Sequence, residues 1–138
     1  MNLNLIISIK PKYVKEILNN NKKFEYRKTI FKEDVEKIYV YSTSPQKKII
    51  GYFKYTKYLK DSPRVIWNKT KEFSGISKDE YDEYFNNRDI AYAIEISEFI
   101  KFDRGINPKE YIDNFIAPQS YKYIIDTPPG LKKFELQK

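Results

Sequence analysis

The stretch from Leu3 to Leu18 changes period at a single proline, and that change sets how the chain opens. LNLIISIK (3–10) is apolar almost throughout and of strand length, so it reads as a buried strand. Pro11 suits the first position of a helix, where its missing N–H leaves no bond unmade. Tyr13, Val14, Ile17 and Leu18 then share one face at helical spacing, which predicts an amphipathic helix over 11–19. Asn19, Asn20 and Asn21 end it, since asparagine tolerates the left-handed conformation of a helix terminus.

Beyond that point the pattern alternates. In KFEYRK, Lys23, Glu25 and Arg27 fall on one face of an extended chain and Phe24 and Tyr26 on the other. EKIYVYS (36–42) reads as a strand with Ile38 and Val40 opposite Tyr39 and Tyr41, and STSPQKK as the turn that follows. IIGYFKYTKY (49–58) reads as one long strand, with Gly51 at a bulge or a close approach. A short helix carrying Trp67 is expected near Val65–Thr70. Ser77 with Glu80 three residues on, and Ile76 with Tyr81, give a capped and stapled helix start. Asn107, Pro108 and Glu110 repeat that logic. AYAIEISEFIKF (91–102) alternates as a strand, SYKYII (120–125) as a last short one, and the tail after Pro128–Pro129–Gly130 reads as a surface segment. Strands with helices inserted at defined points predict an α+β fold, a small mixed β-barrel with short helices packed at its openings. A length of 138 residues fits one domain over 1–138.

The composition limits the chemistry. The chain has no cysteine and no histidine, so thiolate zinc sites, disulfides and imidazole catalysis are excluded. Neither a metal nor a cofactor is expected. The start of the chain lacks the basic segment of a secretory signal, and no apolar run approaches a membrane span, so a cytoplasmic protein is expected. The net charge of +7 favours anionic partners. It is unevenly placed: residues 10–32 hold eight basic and two acidic side chains, whereas 78–89 hold five acidic and two basic. One positive and one negative side are expected, a footprint for a polyanion, although lysines that only solvate the first helix would give the same count. GYFKYTKY interleaves Tyr52, Phe53, Tyr55 and Tyr58 with Lys54 and Lys57, a pattern that suits stacking on unpaired bases or, equally, packing of alternate rings in a core. Trp67 carries the same two readings.

The densest charged stretch, NNNKKFEYRK (19–28), holds the most specific signal. Asn20-x-Lys22-x-x-Glu25-x-Arg27 resembles the Gly-x-Lys-x-x-Glu-x-Arg signature of ASCH domains, members of the PUA-like superfamily. Asparagine in the glycine position serves the same left-handed helix end. ISIKPKYVKEIL resembles the family's opening strand and helix, YVYSTSPQKKIIGYF its central hairpin, and AYAIEI and APQSYKYI its C-terminal part. The resemblance implies a PUA-like barrel that binds RNA, other single-stranded nucleic acid or a modified nucleotide. The nucleic-acid-binding residues expected on that basis are Lys10, Lys22, Lys23, Glu25, Arg27 and Ser120. Lys22 offers a point charge to phosphate and Arg27 a planar fork. Glu25 can orient Arg27, read a base or act as a general base, or else form only a structural ion pair with Arg27. Ser120 can bond phosphate, act in catalysis or serve as a turn residue.

Two enzymatic alternatives come with the resemblance, both with Lys22 and Glu25 as catalytic residues. One is metal-independent cleavage of RNA. The other is hydrolysis of a modified nucleoside, as in N4-acetylcytidine amidohydrolases of similar fold. Glu25 stands where that subgroup has a threonine, and a carboxylate cannot replace a hydroxyl acyl acceptor without forming a mixed anhydride. The family name also implies a protein partner in transcriptional coactivation, to which no residue pattern here points.

Overall fold

A computed structural model describes residues 3–125 of the chain. It is a mixed α+β fold whose elements follow the sequence pattern closely at the start. β1 (Leu3–Ile9) leads into α1 (Pro11–Leu18), with Pro11 in the first turn and Val14 and Ile17 buried. Asn20 takes the left-handed conformation (φ 63°) that ends the helix. β2 (Phe24–Arg27) follows, then the hairpin of β3 (Lys37–Ser42) and β4 (Lys48–Lys54), and β5 (Tyr58–Asp61). α2 (Pro63–Thr70) is capped by Ser62, and α3 (Lys78–Tyr84) by Ser77, whose hydroxyl accepts from the Glu80 N–H at 3.1 Å. β6 (Ala91–Glu95), β7 (Phe99–Ile106) and β8 (Tyr121–Ile125) complete the order. The tail after Pro128–Pro129–Gly130 lies outside the described residues. Among the described residues no helix is long and apolar enough to cross a membrane.

The strands form two sheets, not the closed barrel expected from the pattern. One sheet runs β7-β4-β3-β1-β8, with β1 and β3 parallel and the other pairs antiparallel; the second runs β2-β6-β5. Two strands expected to be continuous break and change sheet. The 49–58 stretch leaves the first sheet after Lys54, where the Tyr55 N–H turns to the Glu36 carbonyl, and re-enters pairing at Tyr58 in the second. The 91–102 stretch breaks at 96–98, where the Ile96 N–H bonds the Lys23 carbonyl and the Ser97 hydroxyl the Lys54 carbonyl. Side-chain alternation is the same whichever neighbour the backbone finds, so a period-two run does not reveal a change of sheet. The third departure is at Asn107, whose side chain caps as expected but starts only a 3-10 turn over Pro108–Glu110. Asn114 with positive φ and Pro118 keep the chain beyond it irregular.

Three apolar layers result. Ile38 and Val40 pack with Leu5, Ile7 and Ile94 in the main core, while Tyr39 and Tyr41 join Ile6 and Phe102 on the opposite face of the larger sheet. α2 and α3 cover the outer face of the smaller sheet through Ile66, Tyr81 and Phe85, against Tyr26, Ala91 and Ala93. Trp67 belongs to this layer, its ring 4.8 Å from that of Tyr81. The rings of GYFKYTKY are mostly packing: Tyr52 and Phe53 are buried, Tyr55 lies against Phe31, and Tyr58 is exposed. Gly51 is a point of close approach at a register shift in β4, where a Cβ would collide with the Ile100 carbonyl oxygen.

Two outcomes follow. Gly51→Ala should lower stability by about 1–3 kcal/mol, because backbone and not a side-chain tip must give way; unchanged urea unfolding would refute the close approach. Burial pushes the Tyr26 hydroxyl up to about 12, and raises Tyr81 as well. Each pKa is higher folded than unfolded, so this contribution is complete below about pH 10 and lost as pH rises toward 12. Melting temperature should therefore fall across that window, and fall less in Tyr26→Phe.

Candidate functional site

At the junction of the two sheets, β2 and the bridge residue before it deliver three charges, Lys22, Glu25 and Arg27, into one cleft of about 610 Å³. The left-handed turn at Asn20 brings Lys22 to the start of the strand, where it bridges to Ser74 in antiparallel fashion. Gly75 (φ 62°) packs against the Lys22 side chain so closely that a Cβ there would collide with the Lys22 Cβ. Lys22 is 3% exposed. Its Nζ donates to the Ser74 carbonyl at 2.9 Å and lies over the rings of Tyr26 (4.6 Å) and Tyr13 (5.4 Å). Burial lowers its pKa below the usual lysine range; Glu25 works against that shift and Arg27 with it.

Glu25, 8% exposed, sits between the two cations. One carboxylate oxygen is 2.8 Å from an Arg27 terminal nitrogen, and the other is 3.8 Å from Lys22 Nζ. Arg27 then crosses to the larger sheet. One terminal nitrogen donates to the Ser8 carbonyl at 2.6 Å and the other to the Ser120 hydroxyl at 3.0 Å, while Nε is buried with no partner among the described residues. The loop before β8 is itself held there: Ser8 donates its N–H to the Ser120 carbonyl and its hydroxyl to the Pro118 carbonyl. Lys10, Lys28 and Arg88 complete the basic lining, so five basic side chains and one carboxylate face the cleft.

The model of the ASCH domain matches residues 7–100, most of the chain. The chain belongs to the ASCH domain family. Its relatives vary in what surrounds the domain. It is 36% identical over 99 residues to the ATP synthase subunit alpha of Ureaplasma parvum and 30% identical over 123 residues to the large ribosomal subunit protein uL22 of the same species. Those matches take in 71% and 87% of this chain but only 12% and 39% of the relatives' own length. It is also 28% identical over 137 residues to an ASCH domain-containing ribonuclease of Zymomonas mobilis, covering 96% of this chain and 87% of that protein. The crystal structure of ASCH from Zymomonas mobilis superposes with a TM-score of 0.83 at 24% identity, over 96% of this chain and 92% of that one. A point mutant of the same protein superposes at 0.84, over 98% and 96%.

Of the residues expected at this domain's site, Lys10, Lys22, Glu25, Arg27 and Ser120 line the cleft together. Lys23 does not. Its Nζ lies 4.2 Å from the Phe73 ring, on the outer side of the bridge between 22 and 74. Tyr13, Tyr84 and Arg88 line the cleft without having been singled out from sequence. Tyr84 and Arg88 belong to the acidic run, which packs beside α1 and not on a remote face: Glu80 accepts from both Lys12 and Tyr13, and these bonds hold its pKa down to about 2. Helical phase from Tyr81 would have placed Tyr84 on the packed side; no local signal marks Arg88.

Glu25→Ala would leave Lys22 and Arg27 buried without their shared carboxylate. The expected loss is about 3–5 kcal/mol by urea unfolding, partly recovered by pairing it with Lys22→Met. Equal stability of Glu25→Ala and wild type would mean that the carboxylate does not hold the cluster.

Proposed function

We propose that this ASCH domain binds single-stranded RNA, or a free or modified nucleotide of the same chemistry, in the Lys22–Glu25–Arg27 cleft of a cytoplasmic protein. The observation that carries the reading is the charge of the cleft, five basic side chains against a carboxylate already shared by two of them. A phosphate relieves the repulsion that remains, and contacts of this kind supply most of the affinity of RNA-binding proteins. The volume suits a nucleotide, and the lining includes Tyr13 and Tyr84, aromatic side chains of the kind that unpaired bases pack against. An A-form helix does not present its bases to such a cleft.

The likeness to the Zymomonas ribonuclease, over nearly the whole chain, favours a second step, cleavage of the bound strand. Both oxygens of Glu25 face cations, which fits it to orient them better than to accept a proton. Lys22, its pKa lowered by burial, is the better base. The fraction of Lys22 that is neutral takes the proton of a 2′-hydroxyl, the 2′-oxygen attacks phosphorus, the bond from phosphorus to the 5′-oxygen breaks, and that oxygen takes a proton from water. A 2′,3′-cyclic phosphate and a 5′-hydroxyl result, with Arg27 stabilising the charge that develops on the phosphoryl oxygens.

Binding is tested by fluorescence anisotropy with a short single-stranded RNA across a salt series. Affinity should fall steeply with salt, and Arg27→Ala should weaken it by roughly tenfold or more, Arg27→Lys less, because the fork is lost while the charge stays. The exposed Lys69→Ala should match wild type. Equal losses at 27 and 69, or no salt dependence, would remove the cleft from the reading. Cleavage is followed in chelator, with N4-acetylcytidine as a second substrate. Turnover of RNA should rise with pH toward the lowered pKa of Lys22, and Lys22→Met should reduce it by roughly 10²–10⁴-fold. Glu25→Gln turning over as wild type does would exclude it from the machinery. Absence of any product leaves binding as the function.

A further inference from the structure

A second cavity, of about 440 Å³, adjoins the cleft and is not needed for anything proposed so far. No residue lines both, but their linings are near neighbours along the chain and across the sheet. Ala117 lines the second cavity and Gln119 the cleft; Pro45 and Gln46 line the second cavity and Thr43 the cleft. Within the larger sheet, Ser8 of the cleft is the direct neighbour of Tyr41 of the second cavity. Adjacent strands lie about 4.8 Å apart, and two residues of chain span at most about 7 Å. A strand of nucleic acid leaving the cleft therefore reaches the second cavity within a nucleotide or two.

The lining has the chemistry of such a strand. Lys47, Lys48 and Lys109 face the cavity, and no acidic side chain lines it. Glu110 and Asp113 belong to the same segment as Lys109 but lie outside the lining. Among the described residues no carboxylate pairs with any of the three lysines. Three like charges gathered without a counter-charge repel one another, and a polyanion removes that repulsion. The apolar side of the cavity is made by Tyr41 and Phe115, whose rings lie 5.6 Å apart, and by Ile116, which is 78% exposed at the rim. Lysines beside an apolar surface suit a phosphodiester with its base laid against the floor.

We propose that this cavity is a second subsite for the same RNA strand, holding the nucleotide that flanks the one in the cleft. The proposal rests on the RNA reading of the cleft. It makes affinity depend on length: a mononucleotide fills the cleft alone, whereas a longer strand engages both cavities.

The full chain is titrated with oligouridylates of one, four and eight nucleotides at several salt concentrations, as wild type and as the triple variant Lys47→Gln, Lys48→Gln, Lys109→Gln. All three positions are exposed, so folding should be kept, which circular dichroism checks. Wild type should gain affinity from one to four nucleotides. In the triple variant that gain should shrink by roughly tenfold and the salt slope should fall by about 2, near 0.7 per phosphate contact removed. Mononucleotide binding should stay unchanged. An unchanged length gain and slope in the triple variant, with Arg27→Ala still impaired, would overturn the subsite and leave the cleft intact. No binding of any oligonucleotide by wild type would overturn both. Octaglutamate binding as tightly as the octanucleotide, with the same loss in the triple variant, would make the cavity a surface for any polyanion, an acidic protein segment included, and would also overturn the subsite.

Discussion

A buried ammonium organises this domain. Lys22 carries its charge into the interior at 3% exposure, and withdrawing such an ion from water costs several kcal/mol unless partners replace the water. Four partners do so: the Glu25 carboxylate, the Ser74 carbonyl and the ring faces of Tyr26 and Tyr13. They come from three parts of the chain's path: Glu25 and Tyr26 from β2, Ser74 from the loop before α3, and Tyr13 from α1. The left-handed turn at Asn20 and the glycine at 75 are the backbone conditions for that meeting.

The same line of charge then extends outward. Glu25 passes it to Arg27, and Arg27 bridges from the smaller sheet to Ser8 and Ser120 on the larger. Two sheets that share no strand are thereby tied by one guanidinium at the mouth of the cleft. Arg27 is thus both a structural tie and part of the cleft lining, so the charge of the cleft is inseparable from the packing that holds it. The fastening of α3 to α1 through Glu80 works in the same way on the neighbouring surface, with an acidic helix providing Tyr84 and Arg88 to a basic cleft.

Much of this was legible from local pattern. Pro11 and the spacing of Val14 and Ile17 marked α1, Ser77 and Glu80 marked the start of α3, and the alternation of Ile38 and Val40 with Tyr39 and Tyr41 assigned both faces of β3. Gly51 was readable as a close approach. Lys22, Glu25 and Arg27 were readable as a group through their resemblance to the family signature, whereas strand alternation alone places Lys23 beside Glu25 and Arg27. These features depend on neighbours within a few residues, where covalent geometry and period determine what a side chain can face.

What remained for the tertiary structure was everything that depends on which partner a segment finds. Tyr58 and Ala91 continue the alternation of their neighbours, yet they pair in the second sheet, and so the barrel does not close. Lys23 shares the strand parity of Glu25 and Arg27, but the bridge between 22 and 74 carries it to Phe73 and away from the cleft. Lys47 and Lys109, distant in sequence, become one basic cavity only because the segment after β7 returns beside the β3–β4 turn. Sequence by itself determined where most helices and strands lie and which faces they bury, since these follow from short-range periodicity, and the charged group from Lys22 to Arg27 through its signature. Only the folded chain decided the sheet order, the burial of Lys22 and the gathering of Lys47 and Lys109 at one cavity, since long-range hydrogen bonds and desolvation have no local signature.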